Sequence, residues 1–168
     1  MNRKDIEYKG TQFVKSPEDQ EASVSAIFYE LAGAGFFPDY IFLSSGYKQV
    51  YDLYAEVVSS NRFITIEFKA KLYHILKDLG NSKGFEQMDC IVCWNVDVED
   101  KKLLGNDNIE LNVIDEQTIS PGLEDFPLAT HEILLPNLMK SIFVIDLKKV
   151  LHAIESGILI PPLKKRAD

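Results

Sequence analysis

The segment RFITIEFKAK, residues 62–71, carries apolar side chains at every second position from Ile64 onward. This alternation is typical of a β-strand with one buried face, because successive side chains point to opposite sides of a sheet. The apolar set is expected to pack inward on helices and comprises Ile64, Ile66, Phe68 and Ala70. The polar set shares the other face and comprises Thr65, Glu67 and Lys69.

A second strand is predicted over residues 47–58, and Ser59-Ser60-Asn61 between the two strands indicates a hairpin. If Ser59 and Ser60 form a two-residue turn, paired positions sum to 119. Asp52 then lies directly across from Glu67, with Cβ atoms roughly 4.5–5.5 Å apart. Two carboxylates at that distance repel each other, whereas a divalent cation such as Mg²⁺ would bind both.

The polar face of residues 62–71 has two interpretations from geometry alone. It is either a solvent-facing strand, or a site in which Glu67 binds metal and Lys69 binds a phosphoryl oxygen or a water. Glu21 lies at the edge of the apolar stripe of a predicted helix and could point to the same site. Glu21 could equally be a boundary carboxylate stabilised by the helix dipole. Glu30 is a more remote candidate.

The remaining pattern predicts one α/β domain over residues 16–157, after a leader of residues 1–15 and before a tail of residues 158–168. A helix is expected to begin with Ser16 as its cap and Pro17 in its first turn, and to end near Gly33. The other expected elements are strands at residues 40–43, 88–96, 109–114, 131–135 and 141–147, and helices at 72–79 and 148–156.

The net charge of −8, from 26 acidic and 18 basic residues, is unfavourable for a nucleic-acid binder. A strong hold on nucleic acid would therefore come from a partner or another domain. The best basic patch comprises Lys48, Lys71 and Lys77, although a solvated face explains these residues equally well. Asp97 to Asp100 is interpreted as a solvated acidic loop.

Two cysteines, Cys90 and Cys93, are expected to be buried free thiols, because residues three apart in a strand face opposite sides. Asp89 is predicted to be structural, and Trp94 is predicted to pack in the core. The sequence shows no apolar run long enough for a membrane span and no signal-peptide pattern, so a soluble, cytoplasmic protein is expected.

The order of a helix with Glu21, a strand, a strand with Asp52, a strand with Glu67-Phe68-Lys69, a helix and a buried strand resembles the αβββαβ core of the PD-(D/E)XK nuclease superfamily. Tyr51 stands where the superfamily's name has proline. The resemblance implies a restriction-endonuclease-like core with a mixed central sheet flanked by helices, here with extra C-terminal strands and a helix.

A closer similarity is to restriction-endonuclease-like segments that accompany prokaryotic GHKL-type ATPases related to Microrchidia proteins. The phrases that carry it are Glu30-Leu31 with Gly35, Tyr51-Asp52, Glu67-Phe68-Lys69, Asp89 to Trp94, and Ile142 to Leu147. This similarity implies an ATPase domain or partner subunit and a role in defence or restriction. It also leaves room for a homodimer.

The resemblance implies a metal-dependent nuclease that cuts DNA, with RNA as the alternative substrate. Asp52 and Glu67 would hold Mg²⁺ or Mn²⁺, with Glu21 and the backbone carbonyl of Phe68 as further ligands. Lys69 would orient the attacking water or neutralise charge in the transition state. The alternative is a nuclease-fold domain that no longer cuts and serves as a protein-interaction or regulatory module. The intact Asp, Glu and Lys favour the first reading, and the acidic composition favours the second.

Overall fold

The structure, a computed structural model, describes residues 5–6, 11–13, 15–45, 50–78, 84–135, 138–160 and 162. The strands are β1 (Tyr40–Ser45), β2 (Leu53–Val57), β3 (Arg62–Lys69), β4 (Cys90–Cys93), β5 (Glu110–Val113), β6 (His131–Leu134) and β7 (Ser141–Asp146). The helices are α1 (Glu21–Gly33), α2 (Ile75–Asp78), α3 (Val98–Asn106) and α4 (Leu147–Glu155). Most of the predicted leader and tail lies outside the described residues. None of the helices among the described residues is both long and apolar enough to span a lipid bilayer.

The seven strands of the described residues form one mixed sheet in the order β1-β2-β3-β4-β7-β6-β5. The first three strands form an antiparallel meander, β3, β4 and β7 are parallel, and β7, β6 and β5 are again antiparallel. Parallel neighbours require a crossover, and the segment between β3 and β4 supplies it with α2 and two short 3-10 turns. The α/β class with a mixed sheet, flanking helices and additional C-terminal strands is therefore as predicted.

Helices cover both faces of the sheet and create two apolar cores. The first core lies between the sheet and helices α1 and α4, and the second lies beneath α2 and α3. Strand β4 is buried along its whole length because both of its faces are covered. Cys90 accordingly belongs to the first core and Cys93 to the second, as free thiols, and Trp94 packs in the first core. These three predictions are confirmed.

The hairpin of β2 and β3 has the predicted register but a longer turn. Leu53 pairs with Ile66 and Val57 with Arg62, so paired numbers sum to 119. The loop between the strands spans residues 58–61 rather than two residues. Because this loop is centred on the same point of the chain, the register is unchanged. Asn61 closes it with a φ of 50°, a left-handed conformation that asparagine adopts more readily than most residues.

Helix α1 begins at Glu21, four residues after the predicted first helical position, Pro17. Asp19 has a φ of 59°, which a right-handed helix cannot contain. The amide of Gln20 instead donates to the carbonyl of Pro17, which closes a turn ahead of the helix. The Ser-Pro pattern therefore marks a turn, and Glu21 becomes the first helical residue.

The acidic stretch Asp97 to Asp100 is the start of helix α3, and its interpretation as a solvated loop is wrong. The Asp97 carboxylate accepts from the Asp100 amide, and the Asp100 carboxylate accepts from the Asp97 amide, which is a reciprocal capping box. Asp100 also accepts from the Tyr73 amide at 2.9 Å and is completely buried. Burial raises its pKa to about 6. Asp100 therefore ties α3 to the crossover that follows β3.

Candidate active site

The carboxyl end of β3 places an acid and an amine side by side in a buried position. Glu67 is 1% exposed and Lys69 is 7% exposed. The Lys69 Nζ lies 2.9 Å from Oε1 of Glu67, 2.7 Å from Oδ2 of Asp78 and 3.4 Å from Oε1 of Glu21. Three carboxylates from three elements therefore surround one ammonium. We call Glu21, Glu67, Lys69 and Asp78 the lysine cluster.

Strand alternation explains why Glu67 and Lys69 project together. Ile66 and Phe68 belong to the first core, so the residues between and after them point to the opposite face. Lys69 is the last residue of β3, and its long side chain extends beyond the sheet. It thereby reaches Glu21, the first residue of the helix that packs on the other face.

The Lys69 side chain is held in its charged form. Burial alone would lower the pKa of this amine, but hydrogen bonds to Asp78 and Glu67 outweigh burial. The net result is a pKa above the ordinary value for lysine. Lys69 is therefore a fixed positive charge at neutral pH and is unsuited to accept a proton.

Asp52 lies immediately before β2 and approaches β3 through its side chain. Its Oδ2 accepts a hydrogen bond of 2.8 Å from the backbone amide of Phe68. The β2–β3 ladder ends at Leu53 and Ile66, so the predicted ladder pairing of Asp52 with Glu67 does not form. The carboxylate of Asp52 instead meets the strand where a further backbone hydrogen bond would have come. Among the described residues, the carboxylates in ion-pair contact with Lys69 do not include that of Asp52.

A cleft of about 380 Å³ lies beside the lysine cluster, and Asp52 and Glu21 both line it. Its other lining residues are Ala22, Ser25, Tyr29, Ser45 and Phe68. Burial raises the pKa of Tyr29, and the nearby charge of Asp52 acts in the same direction. Glu21 belongs to both features, because it contacts Lys69 and also faces the cleft with Asp52. It therefore connects the two halves of the site.

The oxygen ligands at this cleft suit a hard divalent cation in one specific mode. Mg²⁺ usually binds one or two protein carboxylates and completes its octahedron with water and substrate phosphate. Glu21 and Asp52 supply two such carboxylates to the cleft. A group of three or more His, Cys, Asp or Glu side chains arranged to hold a metal is not found among the described residues. The donor set therefore fits a cation that keeps most of its water or shares it with substrate.

The other predicted site residues are not members of the lysine cluster. Lys71 is half-buried just after β3, and Lys77 is exposed on α2, whereas Lys48 lies outside the described residues. Glu30, the remote alternative to Glu21, accepts from Oγ1 of Thr11 at 2.6 Å and from the Gln12 amide at 3.1 Å. Glu30 therefore binds the segment that precedes α1 and is not part of the lysine cluster.

Asp78 is the member of the lysine cluster that sequence reasoning missed. It is the last residue of the short helix α2, nine positions after Lys69. The pattern of residues 72–79 predicts a helix, but nothing in that pattern indicates which helical side chain turns back to the end of β3. An acidic residue in the crossover after a Glu-x-Lys strand is the signal that could have identified it.

Asp89 is structural, as predicted. It accepts from Nη2 of Arg62 at 3.0 Å, from the Thr65 amide at 3.0 Å and from Nζ of Lys140 at 3.2 Å. These contacts link the start of β3 to the residue just before β4. They lie at the opposite end of β3 from Glu67 and Lys69.

A scan against protein-family models finds no family that matches this chain, and searches of curated proteins and of solved structures find no match either. The site is therefore interpreted from its own residues and geometry.

Proposed function

We propose that this chain is a metal-dependent phosphodiester hydrolase, a DNA endonuclease of the PD-(D/E)XK type, acting through Asp52, Glu67 and Lys69. The observation that carries the proposal is the buried contact of Glu67 with Lys69 beside a cleft lined by Asp52 and Glu21. Apolar residues of similar volume often serve stability as well as a buried ion pair does. A buried acid–amine cluster at a cleft is therefore better explained as a functional site.

The arrangement of elements supports the nuclease-like core. Helix α1 precedes a three-stranded antiparallel meander, a crossover and a parallel strand β4. That is the αβββαβ order of the superfamily. Asp52 precedes the second of these strands directly, and Glu67-Phe68-Lys69 ends the third.

The residues of the site have distinct roles in this proposal. Glu21 and Asp52, which line the cleft, would hold Mg²⁺ or Mn²⁺ with the Phe68 carbonyl as a further ligand, and the ion would lower the pKa of a bound water and neutralise phosphate charge. Glu67 would hold Lys69 in place through their ion pair. The hydrogen bond from the Phe68 amide orients Asp52 before substrate arrives. Lys69 contributes a permanent positive charge that can orient the water or stabilise the phosphoryl oxygens.

The acidic composition indicates that this chain relies on a partner for much of its hold on DNA. The net charge is −8, and phosphate neutralisation supplies much of the affinity of nucleic-acid binders. Lys71 and Lys77, which follow β3, are the described basic residues that we assign to the DNA backbone, together with Lys48. An ATPase domain or partner subunit would supply the remaining contacts.

The second candidate function is a nuclease-fold domain that no longer cuts and acts as an interaction module. One observation favours it: the Lys69 ammonium already neutralises Glu67 and is shared with Glu21 and Asp78. The ammonium therefore already compensates the buried Glu67 carboxylate, which needs no cation in order to stay buried.

A cleavage assay separates the two candidates. Supercoiled plasmid and single- and double-stranded oligonucleotides of DNA and RNA are incubated with Mg²⁺ or Mn²⁺ and wild type, Glu67→Gln or Lys69→Met. Loss of such an electrostatic group should slow cleavage by about 100-fold or more. Glu56→Gln is the matched control, because Glu56 pairs with Phe63 further along the same hairpin and the charge change is identical. Its cleavage rate should stay within about twofold of the wild-type rate. Undiminished cleavage by both site variants would reject this site, and an inert wild type that takes up no metal would favour the interaction module.

A further inference from the structure

We infer that Asp78 is a positioning residue for Lys69, holding the ammonium from the crossover between β3 and β4. The inference rests on the proposed function, because it assigns the residue a part in that reaction. Nothing in the Asp…Glu-x-Lys pattern includes Asp78, and its contact with Lys69 is visible only in the fold.

The geometry of the three contacts favours Asp78 as the strongest restraint on the ammonium. The distance from Lys69 Nζ to Asp78 is 2.7 Å, shorter than those to Glu67 and Glu21. A lysine side chain has a flexible four-carbon stem and carries about 2 kcal/mol of rotamer entropy. Glu67 lies on the same strand and restrains the amine from one side only. Asp78 adds a restraint from a separate element and thereby fixes the direction of the side chain.

The position of Asp78 in its own helix does not account for the residue. Asp78 is the last residue of α2, and a negative charge at the C-terminal end of a helix opposes the helix dipole. Because α2 has only four residues, this unfavourable effect is small, but the charge does not stabilise the helix. Lys69, at 2.7 Å, compensates this charge.

Among the described residues, the charged groups in contact with the ammonium are Glu21 of α1, Glu67 of β3 and Asp78 of α2. Removing the Asp78 charge leaves two carboxylates against one buried ammonium. The Lys69 side chain should therefore sample more conformations.

The test compares Asp78→Asn, which keeps the shape and removes the charge, with the conservative Asp78→Glu. We expect kcat of the metal-dependent cleavage to fall by roughly tenfold to 100-fold in Asp78→Asn, because small misplacements of a catalytic group have effects of that size. KM should change little, since Asp78 does not line the cleft. Asp78→Glu should restore most of the rate.

Glu86→Gln is the matched control, because Glu86 is an exposed acid on the same crossover. Labelling of Lys69 with an amine-reactive reagent at pH 9, read by mass spectrometry, reports the ammonium independently of cleavage. Faster labelling in Asp78→Asn than in Glu86→Gln supports the inference. Unchanged kcat and labelling in Asp78→Asn, with Glu67→Gln inactive, would overturn the role of Asp78 and leave the proposed function intact. A wild type without metal-dependent cleavage would overturn the proposed function and the role in catalysis together, while faster labelling would still show that Asp78 holds the amine.

Discussion

Replacing Lys69 with methionine should destabilise the fold strongly, because Glu67 would lose its ammonium while remaining buried. The side chain of Glu67 is 1% exposed and its Oε1 lies 2.9 Å from the Lys69 amine. Removing one partner of a buried ion pair typically costs about 3–5 kcal/mol. The carboxylate of Glu21 is 52% exposed and can recover water, so it adds little, whereas that of Asp78 is 28% exposed and adds a smaller cost than Glu67. For a chain of this size, the melting temperature should fall by roughly 10 °C.

Urea unfolding at pH 7, followed by circular dichroism, measures this loss directly. The double variant Glu67→Gln/Lys69→Met removes both charges and should be more stable than Lys69→Met alone, with a coupling energy of about 2–3 kcal/mol. Lys102→Met serves as the control, because Lys102 is exposed on α3 and its replacement should change stability by less than about 0.5 kcal/mol. A loss below about 1 kcal/mol in Lys69→Met, or strictly additive effects in the double variant, would refute the buried pair.

Four further predictions concern other parts of the fold. Burial lowers the pKa of His131 to about 4. Because the folded-state pKa is depressed, the neutral imidazole stabilises the fold above pH 6.5, and this stabilisation is lost as the pH falls. Urea unfolding should show that the free energy of unfolding falls by about 2 kcal/mol between pH 7 and pH 5, and that this loss is absent in His131→Gln. Gly122→Ala should lower stability in thermal melts by about 1–2 kcal/mol, since Gly122 has a φ of 83° and an added Cβ would lie 2.6 Å from the Arg62 guanidinium. Gly105→Ala, in α3 with open space around it, should instead raise stability by up to about 1 kcal/mol in thermal melts. Asp97→Ala removes the capping box of α3 and should cost about 1 kcal/mol in urea unfolding.

The strand pattern predicts the centre of the fold because strand periodicity depends only on which side chains are buried. The alternation in residues 62–71 gives β3 its correct faces, and the continuous apolar run around Cys90 to Cys93 gives the buried strand β4. The register of the hairpin is also correct, because a longer loop with the same centre pairs the same residues.

Helix starts are predicted less well, because they depend on single backbone dihedrals and on partners distant in sequence. Ser16-Pro17 has the side chains of a helix start, but the left-handed conformation of Asp19 delays the helix to Glu21. Charge alone predicts a solvated loop for Asp97 to Asp100, whereas the carboxylates of Asp97 and Asp100 accept hydrogen bonds from backbone amides at the start of α3.

The sequence predicts only part of the candidate site, because some of its residues are brought together by contacts that are distant in sequence. Glu67 and Lys69 lie on one strand, so their proximity follows from local geometry. Asp52 departs from the expected pairing because the β2–β3 ladder ends at Leu53. Its side chain, rather than its backbone, accepts a hydrogen bond from the Phe68 amide. Asp78 reaches the site through a crossover whose path no local pattern determines.

Direct titration of Mn²⁺ into the protein, followed by calorimetry, tests the central claim most closely. Binding should occur in the wild type, should weaken at least tenfold in Glu21→Gln/Asp52→Asn, whose side chains line the cleft, and should be unchanged in Glu56→Gln. Absence of Mn²⁺ binding in the wild type, or equal binding in all three proteins, would contradict a metal site at this cleft.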